Sequence, residues 1–405
     1  MAPSIAGVGA KGNCWDTKAM TAQTYLITGA RAPVALHLTR LLAGAGHRVH
    51  LADSLRHPLA AASRLHRGYH VLPSLRADPD KAAAALRDIL NRQQVDCVIP
   101  TCEEVLYLGQ IWRDHAMPAR LFAPGFDLLE QVHNKNRFIR LCHDLGLATP
   151  KTRLLQNVAD VAALSGQASD MVFKPVWSRF ATQTMIRPKP ARLAQIIPTS
   201  AAPWVAQDYV AGQEICVYAM AHAGKLTALS AYRGLIHAGL GASVYFTAVQ
   251  DDAVTAFVSA FVQGTGWTGQ ISFDLIRRND GVVLPIECNP RATSGLHFFH
   301  DGPNFARAVN GEGTATPDVT QPQGVRLALW VYGLPQIWHP KGWHAFRDAV
   351  AQVQDVMDWP ADRLGLARQL RPLAEIARIA WRDRVSLQTA ATRDIEWDGP
   401  DQRAI

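Results

Sequence analysis

The hydrophobic pattern opens at Tyr25-Leu26-Ile27-Thr28, a short apolar run that predicts a strand. Gly29 and Ala30 turn the chain. Pro33, suited to a first helical turn, begins a helix over 33–45 that Gly46 closes. Val49-His50-Leu51-Ala52-Asp53 predicts a second strand, 80–92 a helix, and 95–100 a third strand. Strand, helix, strand, helix, strand is the pattern of a parallel sheet covered on both faces. The stretch before it is small, Gly-rich and patternless, without the apolar core of a signal peptide. Residues 1–23 are therefore read as a disordered leader, with Met20 a candidate start.

From the middle onward the pattern changes. A helix over 134–145 ends at Gly146, and Pro150 begins a new unit. Val172-Phe173-Lys174 and Trp204-Val205-Ala206-Gln207 predict short strands, followed by longer ones at 214–221, 225–232, 243–249, 270–277 and 282–287. An amphipathic helix occupies 252–263. Arg278-Asn279-Asp280-Gly281 joins the last two strands, and its Asp-Gly pair is a strong hairpin signal. A further strand is expected at 325–330, helices at 343–352 and around 365–382, and a final strand and turn at 394–399. The expected class is thus α/β followed by α+β with antiparallel sheets.

At 405 residues the chain can build two or three packed domains. No stretch approaches the apolar length that crosses a bilayer, so no membrane partner is expected. The net charge of +7 comes from scattered arginines without a polybasic tail, which suits small anions and argues only weakly for nucleic acid. Cys14, Cys97, Cys102, Cys142, Cys216 and Cys288 lack the spacing of a zinc or redox motif, and a reduced, cytoplasmic protein fits them. A dinucleotide-binding reading of the first unit would use Asp53 as the ribose acid. However, Gly29-Ala30-Arg31-Ala32-Pro33 has one glycine instead of three, and Arg31 and Pro33 crowd the approach of a pyrophosphate.

The candidate chemistry lies on the hairpin. Strand alternation throws Glu287 and Asn289 to one side, and Asp274 on the partner strand can face the same way. Three hard oxygen ligands converging at one strand end suit magnesium, or manganese in its place, bound to nucleotide phosphates. Arg291, just beyond, is placed to neutralise charge on a transferring phosphoryl group. Each carboxylate alone says little. The string Glu287-Cys288-Asn289-Pro290-Arg291 after an Asp-Gly turn is the specific signal.

That string resembles the Glu-x-Asn-Pro-Arg signature of the ATP-grasp superfamily, in particular its carbamoyl-phosphate-synthase-like, carboxylate-amine ligase branch. Other pieces follow in family order. Asn134-Lys135-Asn136-Arg137-Phe138 is similar to the opening segment, making Lys135 a phosphate contact. Phe173-Lys174-Pro175 resembles the strand whose cation holds the phosphates, a role that falls to Lys174. Gln207-Asp208-Tyr209-Val210 through Glu214 resembles the adenine hinge, with backbone at Tyr209 and Val210 reading the base and Glu214 taking the ribose hydroxyls. Ile236-His237-Ala238-Gly239 resembles a stretch that lies along the nucleotide.

The sequence also departs from the family. Gln207 replaces a usual glutamate, and Trp177-Ser178-Arg179-Phe180 replaces a Gly-rich flap. Ser178 can still serve the phosphates, and Arg179 is a candidate for a substrate carboxylate. Arg233 and His297 are candidates for the acceptor pocket. Phe298 and Phe299 read as packing, and Glu103 and Glu104 as charges at a helix N-terminus.

The resemblance implies a Rossmann-like unit over 24–130, an ATP-grasp domain over 131–315 with a lid at about 150–210, and a C-terminal extension over 316–405. It implies an ADP-forming ligase that activates a carboxylic acid as an acyl phosphate and passes it to an amine, with Lys174 and Arg291 catalytic. Bicarbonate or another acceptor, or ATP binding without turnover, are the alternatives. The extension is expected to cover the acceptor site or to build a homodimer contact.

Overall fold

In the computed structural model, residues 21–178, 183–238, 242–333 and 342–399 are described. Cys14, Arg179, Gly239 and nearly all of the expected leader lie outside them. The first apolar run is strand β1 (Thr24–Thr28), buried at every residue, and the helix after it spans Pro33–Gly44. Strands β2 (Arg48–Asp53), β3 (Gly68–Val71), β4 (Cys97–Ile99) and β5 (Arg120–Leu121) join β1 in a five-stranded sheet of order β3-β2-β1-β4-β5. All its pairings are parallel, as the alternating pattern predicts. The sequence pattern missed β3 and β5, which are short edge strands with little apolar signal.

A four-stranded antiparallel sheet follows, built from β6 (Thr152–Leu155), β7 (Met171–Pro175), β8 (Met185–Ile186) and β9 (Trp204–Asp208) in the order β6-β9-β7-β8. It has its own small core of Leu155, Val161, Phe173, Leu193 and Ala206. The third sheet has seven strands, with β10 (Gln213–His222), β11 (Lys225–Ala238), β12 (Ala242–Val249), β13 (Gly269–Arg277) and β14 (Val283–Asn289) all antiparallel. Strands β15 (Gln323–Gly324) and β16 (Gln354–Asp355) extend it. Two continuous cores join this sheet to the parallel one. Leu26, Val98, Phe138, Val217 and Phe273 belong to one core, and Tyr25, Leu36, Tyr218 and Phe298 to the other. The four-stranded sheet, in the region expected to be a lid, is therefore packed separately from the other two sheets.

The helix expected over 134–145 is found as Lys135–Asp144, and a second helix that the sequence pattern did not mark, Phe126–His133, precedes it. Asn134 breaks the path between them and caps Lys135–Asp144 by accepting from the amides of Asn136 and Arg137. Two expectations need correction. The strand expected over 325–330 is the helix Arg326–Gly333. There the apolar run repeats at helical spacing, burying Leu329 against Phe346 and Tyr245 while Val331 faces out. Residues 394–399 form no strand: a turn leads into extended chain whose Trp397 packs edge-on against Tyr107 and Phe126.

The last part of the chain packs back on the first. Arg40 and Asp362 form an ion pair of 3.1 Å in which both side chains are fully buried. The Arg40 guanidinium also donates to the carbonyls of Val356, Met357 and Asp362. A buried guanidinium is tolerated only with its donors satisfied in this way. Among the described residues no helix is long and apolar enough to cross a membrane. Cys97, Cys102, Cys142, Cys216 and Cys288 are free thiols.

The buried pair gives a stability prediction. Asp362→Ala strands the Arg40 charge and is expected to lower unfolding free energy by about 3–5 kcal/mol. The double variant Arg40→Met/Asp362→Leu should recover most of that loss in denaturant titrations.

Candidate active site

The β13–β14 hairpin sets Asp274 opposite Glu287 and Ser272 opposite Asn289. Asp274, Glu287 and Asn289 thus share one face, as strand alternation requires. Pro285 has no amide to give the ladder, and the register shifts beside it, so that Leu275 pairs with Pro285 and Ile286 is skipped. The Ile286 carbonyl turns instead to Lys174 Nζ, 2.9 Å away. Beyond the strand, Arg291 donates to Asn289 Oδ1 at 3.2 Å, and Ser272 Oγ donates to the Arg291 carbonyl at 2.8 Å.

Lys174 comes from β7 of the four-stranded sheet, is buried, and donates to Gln207 Oε1 at 3.1 Å on neighbouring β9. Burial, reinforced by the nearby Lys135 charge, lowers its pKa to about 8 although Glu287 opposes the shift. Lys135 stands at the first position of its helix, donates to the Ser178 carbonyl at 2.9 Å, and lies 3.5 Å from Glu287. Asp274 shows the converse strain: burial and then the Glu287 charge push its carboxyl up to about 7. Two crowded carboxylates facing two crowded lysines make a site that a cation and a polyanion together would relieve. Among the described residues no three His, Cys, Asp or Glu side chains cluster as a metal site. Two carboxylates with an amide oxygen remain a hard-oxygen set fit for magnesium, which takes few protein ligands and borrows phosphate oxygens.

One cavity of about 600 Å³ gathers these groups. Lys174, Gln207, Tyr209, Val210, Glu214, His237, Asp274, Glu287, Asn289 and Arg291 all line it. His237 reaches it through register shifts on β11 around Gly234, where a Cβ would run into Ser243 and His237 itself. The Tyr209 amide already donates to the Asp170 carbonyl at 2.8 Å, so its carbonyl is what it can offer a base.

Lys135 and Ser178 stand behind the lining, joined by their hydrogen bond. The remaining candidates are not brought in. Ile236 packs in the core with Tyr245 and Leu329. Arg233 is exposed beside Gln213, to whose amide oxygen, turned toward it, Nε and Nη1 donate at 2.8 and 2.6 Å. His297 is buried, edge-on to His37 at 4.8 Å. The short 3₁₀ turn Ser294–Phe298, which follows Arg291 and which strand alternation could not foresee, aims it inward. Phe298 and Phe299 pack as expected.

The sequence reading missed part of the lining. Thr101 and Cys102 lie just beyond β4, at the carboxyl end of a parallel strand, where such sheets bind ligands. That rule could have found them. Burial pushes the Cys102 thiol far up, so it is no nucleophile. Glu104 is buried, accepting from Thr28 Oγ1 at 2.8 Å and the Thr101 amide at 3.0 Å, and its pKa is raised by burial. Ile376, Ala391, Thr392 and Ile395 close the cavity from the C-terminal part, and no sequence signal marked them.

Residues 132–295 match the family model described as an ATP-grasp domain. No curated protein matches the chain. Among solved structures, N5-carboxyaminoimidazole ribonucleotide synthetase in an ADP complex is similar at TM-score 0.60 and 14% identity, covering 78% of this chain and 85% of that one. The L-amino acid ligase from Bacillus licheniformis follows at 0.59 and 17%, covering 74% and 79%. The biotin carboxylase domain of the Hydrogenobacter thermophilus 2-oxoglutarate carboxylase, in complex with MgADP, ADP and bicarbonate, gives 0.58 and 11%, covering 75% and 74%.

The buried histidines carry a pH prediction. Burial first, then Arg40 and His300, lowers the His297 pKa to about 3, and burial lowers that of His37 well below the usual value. Both rings bind protons more readily unfolded, so stability is fully present above pH about 6.5 and falls below it. Each is expected to remove about 1 kcal/mol between pH 7.5 and 5.5. His297→Leu should shed its share of that loss in denaturant titrations at the two pH values.

Proposed function

We propose, for a chain whose residues 132–295 are an ATP-grasp domain, that it is an ADP-forming ligase coupling a carboxylic acid to an amine. The observation that carries this reading is the meeting of Lys174 with Asp274, Glu287 and Asn289 in one cavity, with Lys135 behind its lining 3.5 Å from Glu287. Lysines on both sides of a nucleotide cleft neutralise phosphates, and the hairpin would hold a divalent cation. That ion, when bound, screens the charge of the β- and γ-phosphates.

In this reading Glu214, Gln207 and the Tyr209–Val210 backbone receive the nucleoside, and Lys174 and Lys135 the phosphates. A carboxylate oxygen of the acid attacks the γ-phosphorus. The bond from that phosphorus to the β-bridging oxygen breaks, ADP leaves, and an acyl phosphate forms. The amine nitrogen then attacks the acyl carbon, the bond to the phosphate oxygen breaks, and phosphate leaves as the nitrogen loses a proton. Arg291 sits beside Asn289 with its guanidinium toward the metal ligands, placed to meet negative charge in both steps. Positioning and electrostatics supply the catalysis, so no side-chain nucleophile is needed.

Glu287→Gln removes one metal-ligand charge and is expected to cut ADP formation by roughly a thousandfold. The circular dichroism spectrum should be unchanged. A screen of acids and amines for ADP release, with mass detection of the coupled product, supplies the assay. Normal turnover in this variant would sink the reading.

A further inference from the structure

One face of the helix Leu366–Asp383 is tied to the body of the protein. Pro372 and Ala380 are buried, Ile376 lines the cavity, and Glu375 accepts from the amides of Arg56 at 2.8 Å and His57 at 2.7 Å. The outer face carries a second apolar set. Leu366, Leu370, Leu373, Ala377 and Trp381 recur at steps of three and four residues, so they form one stripe along the helix. Trp381 is 84% exposed, and Leu366, Leu370 and Leu373 are 58%, 54% and 45% exposed. Leu387, just past the helix end, is exposed as well.

Single exposed leucines are ordinary on a protein surface, whereas a line of large apolar side chains is a mark of an interaction site. The spacing is that of a seam by which one helix packs on another. The stripe spans about 80° of the helix surface, narrower than the broad apolar face with which a helix lies in a bilayer.

One flank of the stripe is basic. Arg371, Arg378 and Arg382 follow it at helical spacing and are exposed, as is Arg384 at the helix end. Both acids of the helix are already engaged, Glu375 by the two amides and Asp383 by Arg382 at 2.7 Å and by Arg393. Among the described residues no ion pair engages Arg371, Arg378 or Arg384. This charge decides between occupants. A second copy would press the same patch, with its arginines and engaged acids, against itself. Residues 1–20 bring Lys11 and Lys18 with the single acid Asp16, so they do not answer the arginines. Carboxylates beside an apolar seam satisfy both halves of the surface.

We infer that the outer face of Leu366–Asp383 docks a partner protein that presents an acidic amphipathic helix. Its apolar residues lie along the leucine stripe and its carboxylates meet Arg371 and Arg378. The same helix carries Ile376 on the cavity wall, so the partner sits on the outer side of that wall. This inference does not depend on the ligase reading.

The test uses the full chain and fluorescein-labelled three-heptad peptides, with leucine at the core positions and either glutamate or lysine at the flanking ones. In anisotropy titrations the glutamate peptide is expected to bind at least about tenfold more tightly than the lysine peptide. Leu370→Asp should weaken that binding at least about tenfold, with the circular dichroism melt unchanged. The double substitution Arg371→Glu/Arg378→Glu should reverse the preference and gain the lysine peptide, an outcome that loss of fold cannot produce. No binding of the glutamate peptide, equal binding of the two, or no response to the substitutions overturns the inference. A dimer in sedimentation that Leu370→Asp dissociates assigns the stripe to a second copy, and sedimentation with phosphatidylserine vesicles that Leu370→Asp abolishes assigns it to a lipid surface. Either result also overturns the inference.

Discussion

Lys174 and Lys135 reach the same edge of the β13–β14 hairpin, at the Ile286 carbonyl and the Glu287 carboxylate, from two separately packed units. Lys174 belongs to the four-stranded sheet, which has its own core. Lys135 opens a helix packed with the other two sheets. Burial, with a like charge beside each group, raises the affinity of Asp274 for a proton and lowers that of Lys174. Bringing such groups out of water is unfavourable without partners, and opposite charges across the cleft provide them only in part. A bound cation and polyanion would complete the balance.

Two arginines from the first strand-helix unit play a different part. Arg40 is buried with Asp362, and Arg31 is enclosed by Asp53 and Asp394. Both tie residues far along the chain to the parallel sheet. Each ion pair needs its full set of hydrogen bonds to offset desolvation, so each is demanding of geometry. Together they hold the C-terminal part in place, and through it the wall formed by Ile376, Ala391 and Ile395. The turn that in a dinucleotide-binding sheet would receive a pyrophosphate is closed by Arg31. Gly29, at φ +67°, could not carry a side chain there without meeting Glu104 and Thr101 at 2.7 Å.

The hairpin was legible because a tight Asp-Gly turn sets strand register, and register sets which residues share a face. Lys174 was legible as a lysine inside an apolar strand. Misreadings came where local pattern is ambiguous. An apolar run such as 325–330 serves a helix or a strand equally, and neighbours chose the helix. The acceptor candidates His297 and Arg233 do not line the cavity: a short turn buries the one, and the other is exposed beside Gln213.

By itself, the sequence determined the alternation of strands and helices and the oxygen-bearing side chains gathered on one hairpin. These follow from interactions within a few residues or across one tight turn, whereas Lys174 and Lys135 meet that hairpin from more than a hundred residues away. Only the tertiary structure decided that Arg31 is neutralised, that Glu104 is buried, and that residues near 391 complete a cavity begun at residue 31. The first and last of those outcomes join positions more than three hundred residues apart, and no periodicity along a chain records which distant carboxylate will meet which arginine.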